Sequence, residues 1–388
     1  MTGPTIQDDL FALLMRFRTH NYVLTGDIEE MYRQFLVRPE DRRYQRILWR
    51  DDDGRIKAHE LNTATFGLSS APYLAVRYLQ QLAEDESSRA PIAAKVVTQD
   101  LYVDDLLTGA NTYAQALHLR DSVIDLLKRG GLNIRQWVSN DPRLLTGLPT
   151  EQIHPKFFGD SSIKTLGLSW DARNDEIVYT VDLQTDAKIT KRTILSTISK
   201  IFDPLGLLLP VIIKAKILIQ GLWRLQLNWD ESISHELHTE WTVFVQEFST
   251  LDKIAFPRHV TQRATMRTEL HGYCDASERA YGACLYLRTI DEAGKIKVEL
   301  LCAKSRVAPL KPVSLARLEL CGALLLANLH TTALQNFARS FDKIMFWTDS
   351  TIVLNWINKE PCTLDNRRGN FEPIQLGATD PRGFSNRN

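Results

Sequence analysis

The chain has 388 residues, with 47 Lys and Arg against 47 Asp and Glu, 44% hydrophobic and 24% charged. That length accommodates two or three domains of about 100 to 200 residues each, and the composition is that of an ordinary globular protein. Balanced charge excludes a body that is basic throughout, so a nucleic-acid channel has to be a local basic surface. In chain order, residues 23–27 and 44–49 read as short strands, 72–83 and 113–128 as amphipathic helices, and 95–102 and 133–138 as strands. Gly130 and Gly131 stand where the second helix should end. A loop-rich stretch at 139–155, punctuated by Pro142, Pro149 and Pro155, leads to a hairpin of 164–170 and 176–181. From residue 191 to about 250 the period is helical, broken at Asp203-Pro204-Leu205-Gly206. Residues 254–267 are expected to link into the last domain.

That domain has an informative order. Strands at 269–274, 282–288 and 295–304 precede a helix from 314 to about 331, a strand at 343–348 and a helix at 350–357. Three antiparallel strands, a helix and then a parallel strand is the order of an RNase H-like sheet.

Cys274, Cys284, Cys302, Cys321 and Cys362 include no C-x-x-C pair, which argues against zinc and a disulfide framework and for reduced, intracellular thiols. The N-terminus lacks a signal-peptide pattern. The most apolar stretch, 205–219, is interrupted by Pro210, Lys214 and Lys216. It is too short and too charged to span a bilayer, which takes about 20 apolar residues. The chain is therefore expected to be intracellular, not secreted and without a membrane partner.

Two sets of acids carry the chemistry. Asp104 and Asp105 are adjacent at a hairpin tip, where paired carboxylates repel unless a cation sits between them. Hard divalent cations such as Mg²⁺ take clustered carboxylates together with waters and substrate phosphates. Asp27 ends a strand in Leu24-Thr25-Gly26-Asp27-Ile28, Tyr32 follows, and Phe66-Gly67-Leu68-Ser69-Ser70-Ala71-Pro72 opens a helix between the two acidic positions. With Tyr102-Val103-Asp104-Asp105, these pieces in this order resemble the palm motifs of retroelement reverse transcriptases. The stretch Ser199-Lys200-Ile201-Phe202-Asp203-Pro204-Leu205-Gly206, continuing through Pro210, Lys214, Lys216, Gln220 and Trp223, is similar to text peculiar to BEL/Pao-type retrotransposon polyproteins.

The resemblance implies that Asp27, Asp104 and Asp105 hold two Mg²⁺ (or Mn²⁺) ions. It implies that Tyr32, Phe66, Gly67 and Tyr102 contact nucleotide or template, Tyr32 by packing under the incoming sugar and Gly67 by letting backbone approach. Residues 164–170 resemble the hairpin that grips the primer, and Lys191, Arg192 and Lys200 are either duplex contacts or an ordinary solvated face. In the last domain, Asp275 and Asp349 end strands and Glu319 lies on a helix. Three acids in that order on those elements imply a second two-metal site, acting on RNA. Arg317 and Ser277 are weaker candidates for backbone contact.

The implied fold is α/β and α+β multidomain, a truncated reverse-transcriptase palm and thumb followed by an RNase H-like mixed sheet. The expected boundaries are 1–140 for the palm, 141–185 for the primer-grip-like hairpin, 186–262 for the helical thumb or connection, 263–360 for the RNase H-like domain and 361–388 for a disordered or divergent tail. The implied function is RNA-directed DNA polymerase with RNase H, as a fragment of a longer polyprotein in a cytoplasmic particle or the nucleus. Its partners would be RNA template, DNA primer, RNA:DNA hybrid and deoxynucleotide triphosphates, with oligomeric state left open.

Two departures keep a catalytically silent nucleic-acid-binding remnant as the alternative. Only 26 residues precede Asp27, where the family has its fingers. The fourth RNase H carboxylate also lacks a clear match, Asp365 and Asp380 having no supporting context. Arg42, Arg43 and Arg46 come after Asp27 and cannot be assumed to replace the missing basic residues. An aspartic peptidase is disfavoured, because Asp349-Ser350-Thr351 lacks the glycine such a site needs.

Overall fold

The computed structural model describes residues 3–158, 162–180, 188–248, 250–262, 265–337, 340–359 and 384–385. The chain divides into two compact units, 1–13 with 20–166 and 171–174, and 14–19 with 167–170 and 175–388. Helix α1 (Leu10–Phe17) straddles the first division. The mixed helix-and-sheet class expected from the sequence is the one observed.

In the first unit, β1 (Tyr22–Ile28) is followed by an exposed hairpin of β2 (Arg46–Arg50) and β3 (Ile56–Glu60), then α2 (Ala71–Glu86), α3 (Pro91–Gln99), β4 (Leu101–Tyr102), β5 (Asp105–Ala110), α4 (Tyr113–Arg129), β6 (Ile134–Ser139) and β7 (Ile163–Thr165). The main sheet runs in the order β4-β5-β1-β6 and is antiparallel. Helix α4 forms because Ala116, Leu119, Val123, Leu126 and Leu127 recur at helical spacing on a buried face. The Thr112 hydroxyl caps its start by accepting the Gln115 N–H, and Gly130 caps its end.

Residues 95–102 correct the sequence reading. The strand is confined to Leu101–Tyr102, and the preceding valines lie in α3. Pro91 suits the first helical turn, and Ala93, Ala94, Val96 and Val97 bury one helical face. That packing overrides the strand preference of the two valines.

In the second unit, β8 (Leu168–Asp171), β9 (Glu176–Val178) and β10 (Ala255–Pro257) are consecutive strands of a small sheet. Three helices follow the expected period, α5 (Lys191–Ser199), α6 (Leu209–Arg224) and α7 (His235–Phe248). The main sheet has β11 (Thr265–Ala276), β12 (Ala280–Asp291) and β13 (Ile296–Val307) antiparallel, and β14 (Lys343–Trp347) parallel to β11. Helix α8 (Leu315–Asn336) packs on β11 and β12 through Leu318, Ala323, Leu326 and Leu329, and α9 (Thr351–Ile357) follows β14. The strand order read from the sequence is thus present, with longer strands. Of the expected tail only Phe384 and Ser385 are described, beside β14. The rest lies outside the described residues, as do Cys362, Asp365 and Asp380.

The stretch expected to be a linker, 254–267, is instead built into this unit. Arg258 has 0% exposure and sets two nitrogens on the Asp175 carboxylate at 2.5 and 2.7 Å while donating to the Phe17 carbonyl. The buried Arg18 donates to the carbonyls of Arg258, Leu301 and Pro257. Burial lowers its pKa to about 10, so it remains protonated at neutral pH. Buried charge is stable only when paired and hydrogen-bonded, and these partners come from segments far apart in sequence.

Candidate functional site

The first cluster is built by strand register. Asp27 on β1 stands opposite Asp105 on β5, and the carbonyl of Asp104 accepts the Ile28 N–H at 2.9 Å. Tyr102 and Asp105 pair across a two-residue turn of Val103 and Asp104. Val103 takes a φ of 57°, a left-handed conformation that strains a β-branched residue. Such strain clusters where the backbone must aim a functional group. All three acids are half-buried. Desolvation and then the charge of Asp104 push Asp27 up to about 6, partly offset by Arg135. Desolvation, Asp104 and Asp27 push Asp105 up to about 7. Burial raises Asp104 as well.

Tyr32 and Phe66 meet edge to face, ring centroids 4.9 Å apart, with Tyr32 buried and Phe66 exposed. Burial and then the charge of Asp104 raise the Tyr32 hydroxyl pKa. Gly67 has a φ of 87° with open space where a Cβ would stand. Its backbone therefore demands glycine while its surroundings do not. Arg135 and Glu29 are the neighbours that sequence reasoning missed. Arg135 lies opposite Asp27 and is paired with Glu29 at 2.8 Å. Glu29 follows Asp27 by two residues, whereas nothing local marks Arg135, which the β1–β6 pairing alone brings there.

The second cluster is built by convergence. Asp275 lies near the end of β11, Asp349 just past the neighbouring parallel strand β14, and Glu319 on α8. One ligand oxygen from each lies within 4.8 Å of the others, and among the described residues no other group of acids, histidines and cysteines does this. Gly322 lets the helix come close enough, since a Cβ there would lie 3.3 Å from the Asp275 carbonyl. Glu319 is 8% exposed and its Oε2 is buried without a hydrogen-bond partner. Desolvation, then Asp275 and Asp349, push its carboxyl up to about 7. A buried acceptor is normally satisfied. Three convergent carboxylates with one oxygen unpaired are a donor set that fits a hard divalent cation.

Other candidates fare differently. Lys191 is buried, its ammonium 3.6 Å from the Trp223 ring centroid and hydrogen-bonded to the Leu227 carbonyl. Arg192 pairs with Asp230 through two bonds of 2.7 and 3.0 Å. Of the three, Lys191 is buried on internal partners, whereas Arg192, in its ion pair with Asp230, and Lys200 are exposed. The Ser277 hydroxyl is used in the β11–β12 turn. Ser350 caps α9 by accepting the Val353 N–H, so Asp349-Ser350-Thr351 is a strand end and helix cap.

No curated protein matches the chain. Two solved foamy viral structures are similar to it at low identity. The protease-reverse transcriptase dRH with double-stranded DNA has 15% identity and a TM-score of 0.49 over 90% of this chain and 53% of that one. The protease-reverse transcriptase with RNA/DNA hybrid has 14% identity and a TM-score of 0.48 over 89% and 40%. The chain thus spans about half the length of these structures or less. No described helix is long and apolar enough to cross a membrane. Residues 190–350 match the family model described as the Pao retrotransposon-like RNaseH-like domain. The segment that brings Asp275, Glu319 and Asp349 together lies within that match, and so does the motif at 199–206.

Proposed function

We propose that the second unit hydrolyses the RNA strand of an RNA:DNA hybrid at Asp275, Glu319 and Asp349. The first unit is then a reverse-transcriptase palm that extends a DNA primer at Asp27, Asp104 and Asp105, and both belong to a retroelement polyprotein. The observation that carries this reading is the convergence of three carboxylates around an unpaired Glu319 oxygen, within the family-matched segment.

In the second unit Asp275 and Asp349, both exposed, face the substrate side and Glu319 closes the site from behind. Bound Mg²⁺ or Mn²⁺ would neutralise the three acids, activate water and stabilise the developing phosphorane charge. The chain's own part is geometric. Two sheet ends and one helix hold the acids apart, so that a scissile phosphate can approach where water attacks phosphorus and the bond to O3′ breaks with a proton passing to O3′. In the first unit Asp27 and Asp105 are fixed by the ladder, Asp104 sits on the turn, and the exposed Phe66 ring beside Tyr32 offers a face for the incoming nucleotide.

Cleavage of a labelled RNA:DNA hybrid with Mg²⁺, and extension of a DNA primer on RNA with deoxynucleotide triphosphates, test the two halves. Cleavage should vanish in Asp275→Asn and extension in Asp104→Asn. Cleavage that persists in Asp275→Asn would falsify the second site. Extension absent from the unaltered chain would make the first unit a binding module only.

A further inference from the structure

Asp275 and Asp349 open onto a wall that the sheet and α8 do not supply. A cavity of about 480 Å³ lies beside Asp275 and Asp349, lined by Tyr273 and Trp347 of the sheet and by Leu209 and Ile213 of α6. Leu209 and Ile213 are one helical turn apart and so share a face. The turn before α6 sets where that face stands. Asp203 accepts the Leu207 N–H and the Tyr179 hydroxyl, each at 2.9 Å, and the Leu208 N–H at 2.8 Å. The Leu205 carbonyl takes the Ala303 N–H from β13 at 2.9 Å. A Cβ on Gly206 would stand 1.9 Å from the Ala303 oxygen, so only glycine fits. Farther along, Lys216 donates to the Ser305 carbonyl and Gln220 to that of Ala308. The helix is thereby tied along its length to the end of the main sheet.

We infer that the Asp203–Gly206 turn is a positioning device for the carboxylate site. Through it, Leu209 and Ile213 form the wall against which the sugar and base edge of a nucleotide in the cut RNA strand lie. The inference rests on the hybrid-cleaving reading of Asp275, Glu319 and Asp349. The occupant follows from continuity, because one cavity is lined both by Asp275 and Asp349, two of the acids that would take the phosphate's cations, and by the apolar wall next to them. The uncharged parts of the same nucleotide suit that wall, whereas an anionic group would meet Asp275 and Asp349.

The test uses the full chain and a defined RNA:DNA hybrid, with melting temperature measured on every variant. Ile213→Glu is expected to raise KM for cleavage by about tenfold or more with kcat little changed, the pattern of lost binding common to ground and transition states. Ile213→Val should stay near the unaltered chain. Asp203→Ala should raise KM as well, with partial recovery in Asp203→Asn, which keeps one acceptor oxygen. Intact cleavage with unchanged KM in Ile213→Glu overturns the wall and leaves the cleavage reading standing. Hybrid binding that Ile213→Glu weakens, in a chain that does not cleave, supports the wall and overturns the cleavage reading. A chain that neither binds nor cleaves the hybrid overturns both.

Discussion

The two acidic clusters reach similar electrostatics by different construction. In the first, Asp27, Asp104 and Asp105 belong to one antiparallel sheet and its turn, so backbone pairing sets their spacing. In the second, each acid comes from a different element, and the spacing depends on how closely α8 packs at Gly322. Burial and like charge push one member of each cluster, Asp105 or Glu319, up to about 7. Of these two, Glu319 alone leaves a buried carboxylate oxygen without a hydrogen-bond partner. A ladder holds acids in place whatever the side chains around it do, whereas a convergent site is as good as the packing behind it. The second cluster should therefore be the more sensitive to remote substitution and the more responsive to a cation.

The largest effect is expected from the acids themselves. Asp349→Asn should lower hybrid cleavage by more than about a hundredfold, beyond the range typical of residues that only orient a metal ligand. It should leave primer extension unchanged, and Asp104→Asn should do the reverse. Loss of both activities in either variant would break the separation of the clusters. Gly322→Val is a sharper probe, because it replaces no acid yet should lower cleavage without affecting extension.

Next comes the buried arginine of the second unit. Asp175→Asn leaves the fully buried Arg258 short of its bidentate partner, a loss of about 3–5 kcal/mol when one side of a buried pair is removed. Denaturant unfolding reads this directly, and a change below about 1 kcal/mol would mean that Arg258 is satisfied by other groups.

The pH dependence should be smaller and has a definite sign. Glu319 rises from 4.5 to about 7, Asp27 from 3.8 to about 6 and Asp105 from 3.8 to about 7. The folded chain thus binds these protons more tightly than the unfolded one. Its stabilisation from them is complete below their unfolded values and is lost as pH rises through 6 to 7. The metal-free melting temperature should fall from about pH 4 to about pH 7, the window between the unfolded and folded values. Mn²⁺ should reverse the fall, since cation binding favours the deprotonated acids. A melting temperature that rises across the same window, with no response to Mn²⁺, would remove the electrostatic case for both clusters.

The elements that carry the acids were legible because strand-end aspartates leave a local signature, an apolar run closed by an acid and small residues, as in Tyr273-Cys274-Asp275-Ala276. The order of β11 to β14 was legible for the same reason. What local pattern misjudged was settled by packing. The valines of α3 prefer strands in isolation, and their burial with Ala93 and Ala94 made them helical. Lys191 looked like a free cation until Trp223 and Trp229 closed around it. Arg135 beside Asp27, and Leu209 beside Asp275, have no sequence marker, because a strand pairing and a helix docking create those neighbours. The glycine in Asp203-Pro204-Leu205-Gly206 looked like a helix stop and is also a contact surface for Ala303.

The smallest effect should come from the hairpin of β2 and β3, where neither strand register nor convergence is backed by a core. Every residue of both strands is exposed, including Leu48 at 75% and Trp49 at 64%. Arg46 and Glu60 pair across it at 2.6 Å with side chains 57% and 40% exposed. An ion pair that open to water contributes about 0–1 kcal/mol, and a two-stranded hairpin without a buried face is marginal by itself. Arg46→Ala should leave the cooperative unfolding transition unmoved while speeding amide exchange within the hairpin. A loss comparable to that of Asp175→Asn would mean that the hairpin is held by more than its own ladder. It would then join the second cluster as a region whose geometry depends on packing.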